Sequence, residues 1–269
     1  RPFGQAAIAR HGPASPQTYR VFVAPLHWDH IMGLPFFTPA YIPGNRVFIY
    51  GGHPELETAL RRQHGAPSFP VDFSALGATI EFVALAPDVD HHVAGMTVRL
   101  LLQRHSGDSF GYRFTRDGRS VVYSTDSEHK LADPAETQRF VEFFREADVV
   151  IFDAMYSLAD AISVKADWGH SSNIVGVELC QLARARQLCL AHRLEQVGHR
   201  LVAQGLTGVF IVGGTENQRR RLGQLFQPAG QFDPAHPRHA DIQQQQVRVV
   251  LLHQAKGLFA IGGLPAIAA

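Results

Sequence analysis

Short runs of apolar, β-branched and aromatic residues recur along the chain and predict strands, because each run suits one strand but is too short for a buried helix. The run from Val149 to Phe152 is apolar throughout and predicts a buried strand. Two further runs flank Asp117-Gly118, a dipeptide that favours the tight turn of a hairpin. The predicted strands cover residues 20–24, 46–50, 79–85, 96–102, 110–114, 120–124, 149–152 and 187–191, with an edge strand at 247–252.

Apolar residues at helical spacing predict helices between these strands. Three phenylalanines repeat at this spacing between residues 135 and 147. Ser172 is a suitable N-cap for a later helix, because its hydroxyl can accept a backbone N–H of the first turn. Because strands and helices interleave, we expect a layered α/β protein. The predicted helices cover residues 4–11, 56–63, 135–147 and 173–185.

The composition is that of a globular chain rather than a disordered one. Of the 269 residues, 45% are hydrophobic and 18% are charged, which is enough apolar material for a sizeable core. With 25 basic and 24 acidic residues the net charge is +1, so a broad electrostatic surface for nucleic acid is not indicated. No apolar run reaches the roughly 18 residues of a membrane span.

The two cysteines, Cys180 and Cys189, lie in one apolar segment. We interpret them as buried free thiols rather than a disulfide framework. Free thiols are typical of a reducing compartment, so the expected location is the cytoplasm. The first residues, 1–4, do not resemble a signal peptide.

Histidine is unusually frequent, with 15 residues, and it is both the commonest metal ligand and the side chain that titrates near neutral pH. Three ligating side chains, His27, Asp29 and His30, closely follow the predicted strand 20–24. Such a corner presents side chains from a rigid base into a cleft, and imidazole with carboxylate suits zinc, manganese or iron. Taken alone, this His-x-Asp-His segment is equally compatible with a polar loop that contains two incidental histidines.

The segment from His27 to Phe37 resembles the His-x-His-x-Asp-His-x-x-Gly motif of the metallo-β-lactamase superfamily. Further blocks follow in the order found in its phosphodiesterase-like branch, which includes ribonuclease Z and cyclic-phosphate phosphodiesterases. The similarity spans roughly residues 4–200, and several ordered blocks are more specific than any single one. The further blocks are Arg104-His105-Ser106-Gly107, Phe110-Gly111-Tyr112-Arg113, Tyr123-Ser124-Thr125-Asp126, Phe152-Asp153-Ala154-Met155-Tyr156, Trp168-Gly169-His170-Ser171-Ser172 and Leu188-Cys189-Leu190-Ala191-His192.

The resemblance implies an αββα sandwich of the α/β (α+β) class, from which the superfamily's N-terminal strands are missing. It implies a hydrolase domain at residues 1–226 and leaves 227–269 as a C-terminal extension of unknown role. The expected cofactor is Zn²⁺, as one or two ions, and Mn²⁺ and Fe²⁺ are alternatives. The expected substrate is a small-molecule or nucleotide-like phosphodiester, and a nucleic acid is an alternative that the net charge does not favour.

Six metal ligands are implied, divided between two metal positions that one aspartate bridges. Two cations a few ångströms apart need an anionic ligand between them, and a hydroxide that they share is nucleophilic near neutral pH. The implied reaction is attack of this metal-bound hydroxide on phosphorus, with Asp29 and His170 as catalytic residues. The first position would use His27 and His105, and the second Asp29, His30 and His192, with Asp126 as the bridge.

His170 precedes the predicted helix start at Ser172. In ribonuclease Z-like relatives the matching histidine faces the scissile phosphate, so His170 would either protonate the leaving oxygen or hold a phosphate oxygen. Its alternative role is a hydrogen bond at the helix N-terminus. Asp153 is expected to orient a ligand histidine through its ring N–H. The other histidines are interpreted as surface or local hydrogen-bonding residues: His11, His53, His64, His91, His92, His129, His199, His236, His239 and His253.

Pro25 is the main departure from the superfamily, since it stands where the first motif histidine belongs and proline cannot ligate a metal. After His192 the chain continues with Arg193-Leu194-Glu195, where close relatives have another histidine followed by an acidic residue. Two alternatives therefore stay open. One is a catalytically degenerate copy that acts as a binding module. The other is a hydrolase of a different ester, lactam or thioester, because one fold serves many substrates.

Overall fold

The computed structural model describes residues 8–9, 16–156, 161 and 166–193, together with the backbone of three short strands beyond them. From His192 onward the description is limited to the backbone. The helix expected at 4–11 lies outside the described residues, apart from positions 8 and 9.

The strands are numbered β1 to β12 and the helices α1 to α4 in chain order. The strands are β1 (Thr18–Val23), β2 (Arg46–Gly51), β3 (Thr79–Ala84), β4 (Asp90–Val93), β5 (Met96–Gln103), β6 (Ser109–Arg116), β7 (Arg119–Ser124), β8 (Val149–Asp153), β9 (Gln187–Arg193), β10 (Thr207–Phe210), β11 (Arg248–Val249) and β12 (Leu258–Ala260). The helices are α1 (Trp28–Ile31), α2 (Leu56–Gln63), α3 (Pro134–Phe144) and α4 (Asn173–Leu182), with 3-10 turns at Leu34–Phe36, Thr38–Tyr41 and Phe73–Ala75.

The strands form two sheets. The first has four strands in the order β12-β1-β2-β3, in which β1, β2 and β3 are parallel and β12 is antiparallel to β1. The second has eight strands in the order β10-β9-β8-β7-β6-β5-β4, with β11 beside β9. In the second sheet β4 to β7 are antiparallel neighbours, whereas β7, β8 and β9 are parallel.

Successive side chains of β1 point to opposite faces of the first sheet and so belong to two different cores. Val21 faces α1 and α2 and packs in one core with Leu60, whereas Phe22 faces the second sheet and belongs to the other core. The far side of the second sheet is covered by α3 and α4 through Phe144 and Leu179, both fully buried. Helix, sheet, sheet and helix therefore succeed one another, and the expected αββα sandwich is confirmed.

Aromatic contacts join the two sheets beside the end of β1. Within the first sheet the ring of Phe22 stacks on Tyr50, with centroids 4.7 Å apart, and it meets Phe114 of the second sheet edge-on at 4.9 Å. The hydroxyl of buried Tyr112 donates to the backbone oxygen of Val23 at 2.7 Å. A buried phenol needs such an acceptor, so this bond fixes the point where β1 ends and the ligand-bearing segment begins.

The strand directions bring several polar residues to one edge of the second sheet. Because β6 is antiparallel to both β5 and β7, strand β5 runs in the same direction as β7, β8 and β9. Their carboxyl ends therefore share one edge, where side chains of open sheets commonly form sites. His105 follows β5, Asp126 follows β7, Asp153 ends β8 and His192 lies near the end of β9.

Most predicted elements are confirmed to within a few residues. Helix α2 begins and ends where predicted, and the hairpin turn has Asp117 at φ 51° and Gly118 at φ 73°. Strand β4 was missed because its sequence, Asp-His-His-Val, lacks an apolar run, and its pairing with β5 supplies the strand instead. Helix α3 ends at Phe144, before the expected Ala147, because Glu146 adopts a left-handed φ of 51°.

Cys180 and Cys189 are both buried and both free thiols, as the sequence predicted. Among the helices of the described residues, none has the length and apolar character needed to cross a bilayer.

Candidate metal centre

His27 follows a strand of the first sheet and His105 follows a strand of the second, and the two side chains meet at this edge. His27 precedes the first turn of α1, and His105 follows β5. The Nδ1 atom of His27 lies 3.2 Å from Nε2 of His105, and the ring centroids are 4.9 Å apart. Two imidazole nitrogens directed at each other at this distance can share either a proton or a cation.

A second group forms around His30. Its Nε2 atom lies 3.2 Å from Oδ1 of Asp126 and 3.4 Å from Oδ2 of Asp29. The short helix α1 carries Asp29 and His30 side by side on its single turn. Asp126 follows β7 with φ at 53°, a left-handed conformation that aspartate tolerates better than most residues.

Asp126 also joins the two groups. Ligand atoms of His105, Asp126 and His170 all lie within 4.8 Å of one another. One carboxylate is therefore close to His30 on one side and to His105 on the other, which is the placement expected of a bridging ligand.

The spacing of these donors fits a zinc-like cation. Nitrogen and oxygen ligands about 2.0–2.2 Å from one tetrahedral ion lie about 3.3–3.6 Å from each other. The separation of 3.4 Å lies within that range, and the two separations of 3.2 Å lie just below it. Imidazole and carboxylate are also the ligand types that zinc, manganese and iron accept.

His105 is oriented from behind by the backbone. Its Nδ1 atom donates to the carbonyl oxygen of Gly169 at 2.8 Å, which leaves the Nε2 lone pair directed at His27. Gly169 has a φ of +81°, and a Cβ at this position would lie 2.4 Å from Nδ1 of His105. Only glycine allows the chain to pass this close to the ring.

His170 is supported by a buried carboxylate. Its Nδ1 atom lies 2.6 Å from Oδ2 of Asp153, and Asp153 also accepts backbone N–H bonds from Met155 and Ser127. Asp153 therefore orients a histidine of the site, and that histidine is His170, whose ligand atom lies within 4.8 Å of those of His105 and Asp126. The N-cap of α4 is Ser172, whose Oγ accepts from the N–H of Val175, so His170 does not cap that helix.

The charges at the site explain its protonation. Burial lowers the pKa of His170, but the hydrogen bond and negative charge of Asp153 outweigh burial and raise that pKa above its ordinary value. Burial raises the pKa of Asp153 despite the contact with His170. The contact between the two side chains therefore favours the protonated ring of His170. Burial lowers the pKa of His105, which keeps its ring neutral and available as a ligand.

The same balance operates between His30 and Asp126. Burial lowers the pKa of His30, but the hydrogen bond and charge of Asp126 reverse the effect and raise it. Burial raises the pKa of Asp126, and its contact with His30 outweighs burial and lowers it. Without a metal the two side chains thus stabilise each other as an ion pair.

The structure brings together five of the six expected ligands: His27, Asp29, His30, His105 and Asp126. The side chain of His192 lies outside the described residues. Its backbone pairs with Gly208 in β10, one residue beyond the position in register with Asp153. Pro25 is buried between β1 and α1.

Sequence reasoning missed two features of the site. One is the carbonyl of Gly169 as the acceptor for His105, which no pattern of residue types predicts. The other is Glu128, a buried carboxylate that accepts N–H bonds from the turn before His170. Its position two residues after Asp126, directly past a strand, was a usable signal. Three histidines interpreted as surface or local residues are buried and make local contacts: His53, His64 and His129.

The sequence was compared with families of known proteins. The sequence model of the Beta-lactamase superfamily domain matches residues 3–193, well over half of the chain. The chain belongs to the beta-lactamase superfamily. Ribonuclease Z from Streptococcus agalactiae is 25% identical over 218 residues, covering 64% of this chain and 70% of that relative. Ribonuclease Z from Listeria monocytogenes is 22% identical over 213 residues, covering 64% of this chain and 69% of its own length.

Solved structures of the superfamily share the fold. The metallo-beta-lactamase fold protein YhfI from Bacillus subtilis aligns with a TM-score of 0.50 and 18% identity, covering 77% of this chain and 71% of its own. Human tRNase Z, short form, aligns with a TM-score of 0.50 and 19% identity, covering 68% of this chain and 76% of its own. These structures show the shared fold, and the family match and the ribonuclease Z relatives confirm the resemblance to the superfamily and its phosphodiesterase-like branch.

Proposed function

We propose that the protein is a metal-dependent hydrolase of a phosphodiester. The observation that carries the proposal is the convergence of His27, His30, His105 and Asp126 at one edge of the sandwich, beside a histidine backed by a buried carboxylate. The ribonuclease Z relatives support a phosphodiester rather than another ester, since the name of that enzyme describes cleavage of RNA.

In this proposal His27 and His105 hold one ion, and Asp29, His30 and His192 hold another, with Asp126 as the bridge. Zn²⁺ is the favoured ion, and Mn²⁺ and Fe²⁺ suit the same ligands. When bound, such an ion stabilises charge on phosphoryl oxygens and lowers the pKa of a water ligand. Pro25 leaves the first set one imidazole short, so the second set is expected to fill first.

His170 is assigned the role of proton donor. Because its Nδ1 atom is bonded to Asp153, Nε2 is the ring atom left to face a substrate. A raised pKa favours the protonated ring, so Nε2 can protonate the leaving oxygen as the phosphorus–oxygen bond breaks. The attacking water loses its proton to the carboxylate of Asp29, which is half exposed and lies beside His30.

A compact substrate fits the charge of the chain. The net charge of +1 supplies no broad basic surface, so we propose a small-molecule or nucleotide-like diester. We further propose a cytoplasmic location, because both cysteines are free thiols. We also propose that residues 1–226 form the hydrolase domain and that residues 227–269 form an extension.

A second candidate is a binding module that has lost hydrolysis, and Pro25 is the observation that favours it. With one imidazole fewer, the first metal position has His27, His105 and Asp126 as its protein ligands. Three protein ligands and a water still form a catalytic zinc site in other enzymes, which is why we favour hydrolysis.

The proposal is tested with metal-loaded protein and a panel of substrates. Bis(p-nitrophenyl) phosphate represents phosphodiesters, p-nitrophenyl phosphate represents monoesters, and a chromogenic β-lactam and a thioester represent the alternatives. We expect turnover of the diester above the other three. Preferential turnover of the lactam or thioester would transfer the protein to another substrate class, and stoichiometric metal without turnover of any of them would favour the binding module.

A further inference from the structure

We propose that Glu128 is a positioning residue for the metal centre, which it serves by fixing the orientation and tautomer of His105 through the turn Asp167–Gly169. The inference rests on the proposed metal-dependent function, because it assigns a support to one of the metal ligands. Glu128 acts on His105 through one intervening residue, Gly169, whose N–H and carbonyl belong to successive peptide units.

The carboxylate of Glu128 binds both ends of this turn. Its Oε1 atom accepts the N–H of Asp167 at 3.0 Å, and its Oε2 atom accepts the N–H of Gly169 at 3.1 Å. Glu128 is 6% exposed, so these bonds are shielded from water and satisfy a buried charge. Hydrogen bonds to a charged group are worth roughly twice those between neutral groups.

Gly169 passes this restraint to His105. Its N–H is bound by Glu128, and its carbonyl oxygen accepts from Nδ1 of His105 at 2.8 Å. From Nε2 of the same ring to Nδ1 of His27 the distance is 3.2 Å. Three consecutive contacts therefore lead from a buried carboxylate to the first metal position.

The turn depends on hydrogen bonds rather than on packing. Asp167 and Gly169 both have left-handed φ angles, 67° and 81°, and the ring of Trp168 between them is 62% exposed. A turn with so little buried apolar surface is a region of low local stability unless polar contacts hold it. Lys130 bonds the side chain of Asp167 and lies 3.9 Å from Oε1 of Glu128, which balances the negative charge.

Glu128 is also placed next to His105 by its own backbone. Its N–H donates to the carbonyl of Arg104 at 2.9 Å, in an isolated antiparallel bridge between these two residues. The residue preceding His105 and the acceptor of its ring N–H are therefore both held by Glu128. This double attachment distinguishes it from Glu136, which bonds the guanidinium of Arg104 from α3 and is not bonded to the turn.

The first test is the tautomer of His105 in metal-free protein, read from long-range ¹H–¹⁵N correlations of its ring. Wild-type protein should show Nδ1 protonated and Nε2 bare. Glu128→Ala removes both bonds to the turn and should add the Nε2–H form, while Glu128→Gln keeps one acceptor oxygen and should lie between. Glu136→Gln is the matched control, since it removes a carboxylate near Arg104 and should leave the tautomer of His105 unchanged.

The second test is zinc affinity, measured by competition with a chromogenic chelator. Loss of a group that supports a ligand typically costs about 10–100-fold in metal affinity. We expect Glu128→Ala to weaken zinc binding by about that factor and Glu136→Gln to leave it within about twofold. Should the alanine variant fail to fold, the glutamine variant decides, because it retains the size and one hydrogen bond of the side chain.

The outcomes separate this inference from the proposed function. Wild-type zinc affinity and an unchanged His105 tautomer in the Glu128 variants would overturn the role of Glu128 and leave the metal centre standing. A wild-type protein that binds no zinc, but whose His105 tautomer depends on Glu128, would refute the metal centre and keep the structural link. An equal loss of affinity in Glu136→Gln would attribute the effect to charge alone and also overturn the proposal.

Discussion

The ring of His170 is fixed by Asp153: its Nδ1 atom lies 2.6 Å from Oδ2, inside a pocket where the ring of Tyr156 also meets it edge-on at 5.3 Å. The carboxylate is itself fixed by two backbone N–H groups, from Ser127 and Met155. A histidine supported in this way has one free ring nitrogen with a defined direction. That arrangement suits a group that moves a proton, and it leads to the first prediction.

Replacing His170 with alanine should slow hydrolysis without removing the metal. A positioned acid is worth roughly 10²–10⁴-fold in rate, so we expect a loss in that range for a diester with an alkoxide leaving group. The loss should be smaller for bis(p-nitrophenyl) phosphate, because p-nitrophenolate leaves without protonation. Steady-state rates on both substrates and elemental analysis of the variant measure the effect.

Asp153→Asn is the companion variant, because it keeps the shape but removes the charge behind His170. We expect it to lower turnover on the same two substrates in the same order. If His170→Ala instead lost its metal, His170 would be a ligand, and equal losses on both substrates would assign it a structural role.

Gly169→Ala should weaken metal binding by displacing His105. The added Cβ would lie 2.4 Å from Nδ1 of that ring, at a backbone φ of +81°. Gly118→Ala is a matched control, since Gly118 has a φ of +73° and no atom lies within 4 Å of its added Cβ. Both variants should lose roughly 1 kcal/mol of stability from left-handed strain. Only Gly169→Ala should lose zinc affinity in a chelator competition, and equal affinities in the two variants would show that the close approach is unimportant.

Pro25→His should raise zinc occupancy at the first metal position. A third imidazole joins His27 and His105, and we expect a gain of roughly tenfold or more in affinity, about 1.4 kcal/mol. Pro25→Ala controls for loss of the proline ring and should not gain affinity. The number and affinity of bound ions are measured by titration calorimetry, and an unchanged first site in Pro25→His would mean that position 25 is too far from the ion.

His129 should make the protein less stable in acid. Its ring is buried between Phe140 and Phe152, and burial lowers its pKa to about 3. An unfolded histidine titrates near 6.5, so between these values the unfolded chain binds a proton that the folded chain excludes. The free energy of unfolding then falls as pH drops below about 6.5, by up to roughly 1.4 kcal/mol per pH unit from this group.

His129→Phe should remove that contribution, and His92→Phe, on exposed strand β4, is the control for the added ring. Urea unfolding between pH 7.5 and 4.5 gives the slope for each protein. A His129→Phe slope identical to that of the wild type would show that His129 is protonated without loss of the fold.

The sequence was sufficient for those strands that coincide with apolar runs, such as Val149 to Phe152, because such runs are typical of buried strands. His27, Asp29 and His30 could be selected as candidate ligands from their short spacing alone, without knowledge of the tertiary structure. The polar edge strand β4 was missed because edge pairing, rather than apolar content, makes it a strand. The local sequence therefore predicts a strand when its burial requires an apolar run, and does not when pairing at a sheet edge is what makes it a strand.

The supports of the site could not be predicted in the same way. The acceptor for His105 is a carbonyl 64 residues away along the chain, and every residue has a carbonyl. The sequence did not identify which histidine bonds Asp153, because the packing of α4 against β8 is what brings His170 to it. Such contacts depend on how elements pack, which residue identity does not encode locally.

The most direct test of the account is hydrolysis of bis(p-nitrophenyl) phosphate by chelator-treated protein as Zn²⁺ or Mn²⁺ is returned in known amounts. A metal-dependent hydrolase should show no hydrolysis without metal and release of p-nitrophenolate that rises in step with bound metal. Asp126→Ala should show neither tight metal binding nor hydrolysis. Full metal occupancy with no hydrolysis, or hydrolysis by metal-free protein at the wild-type rate, would contradict it.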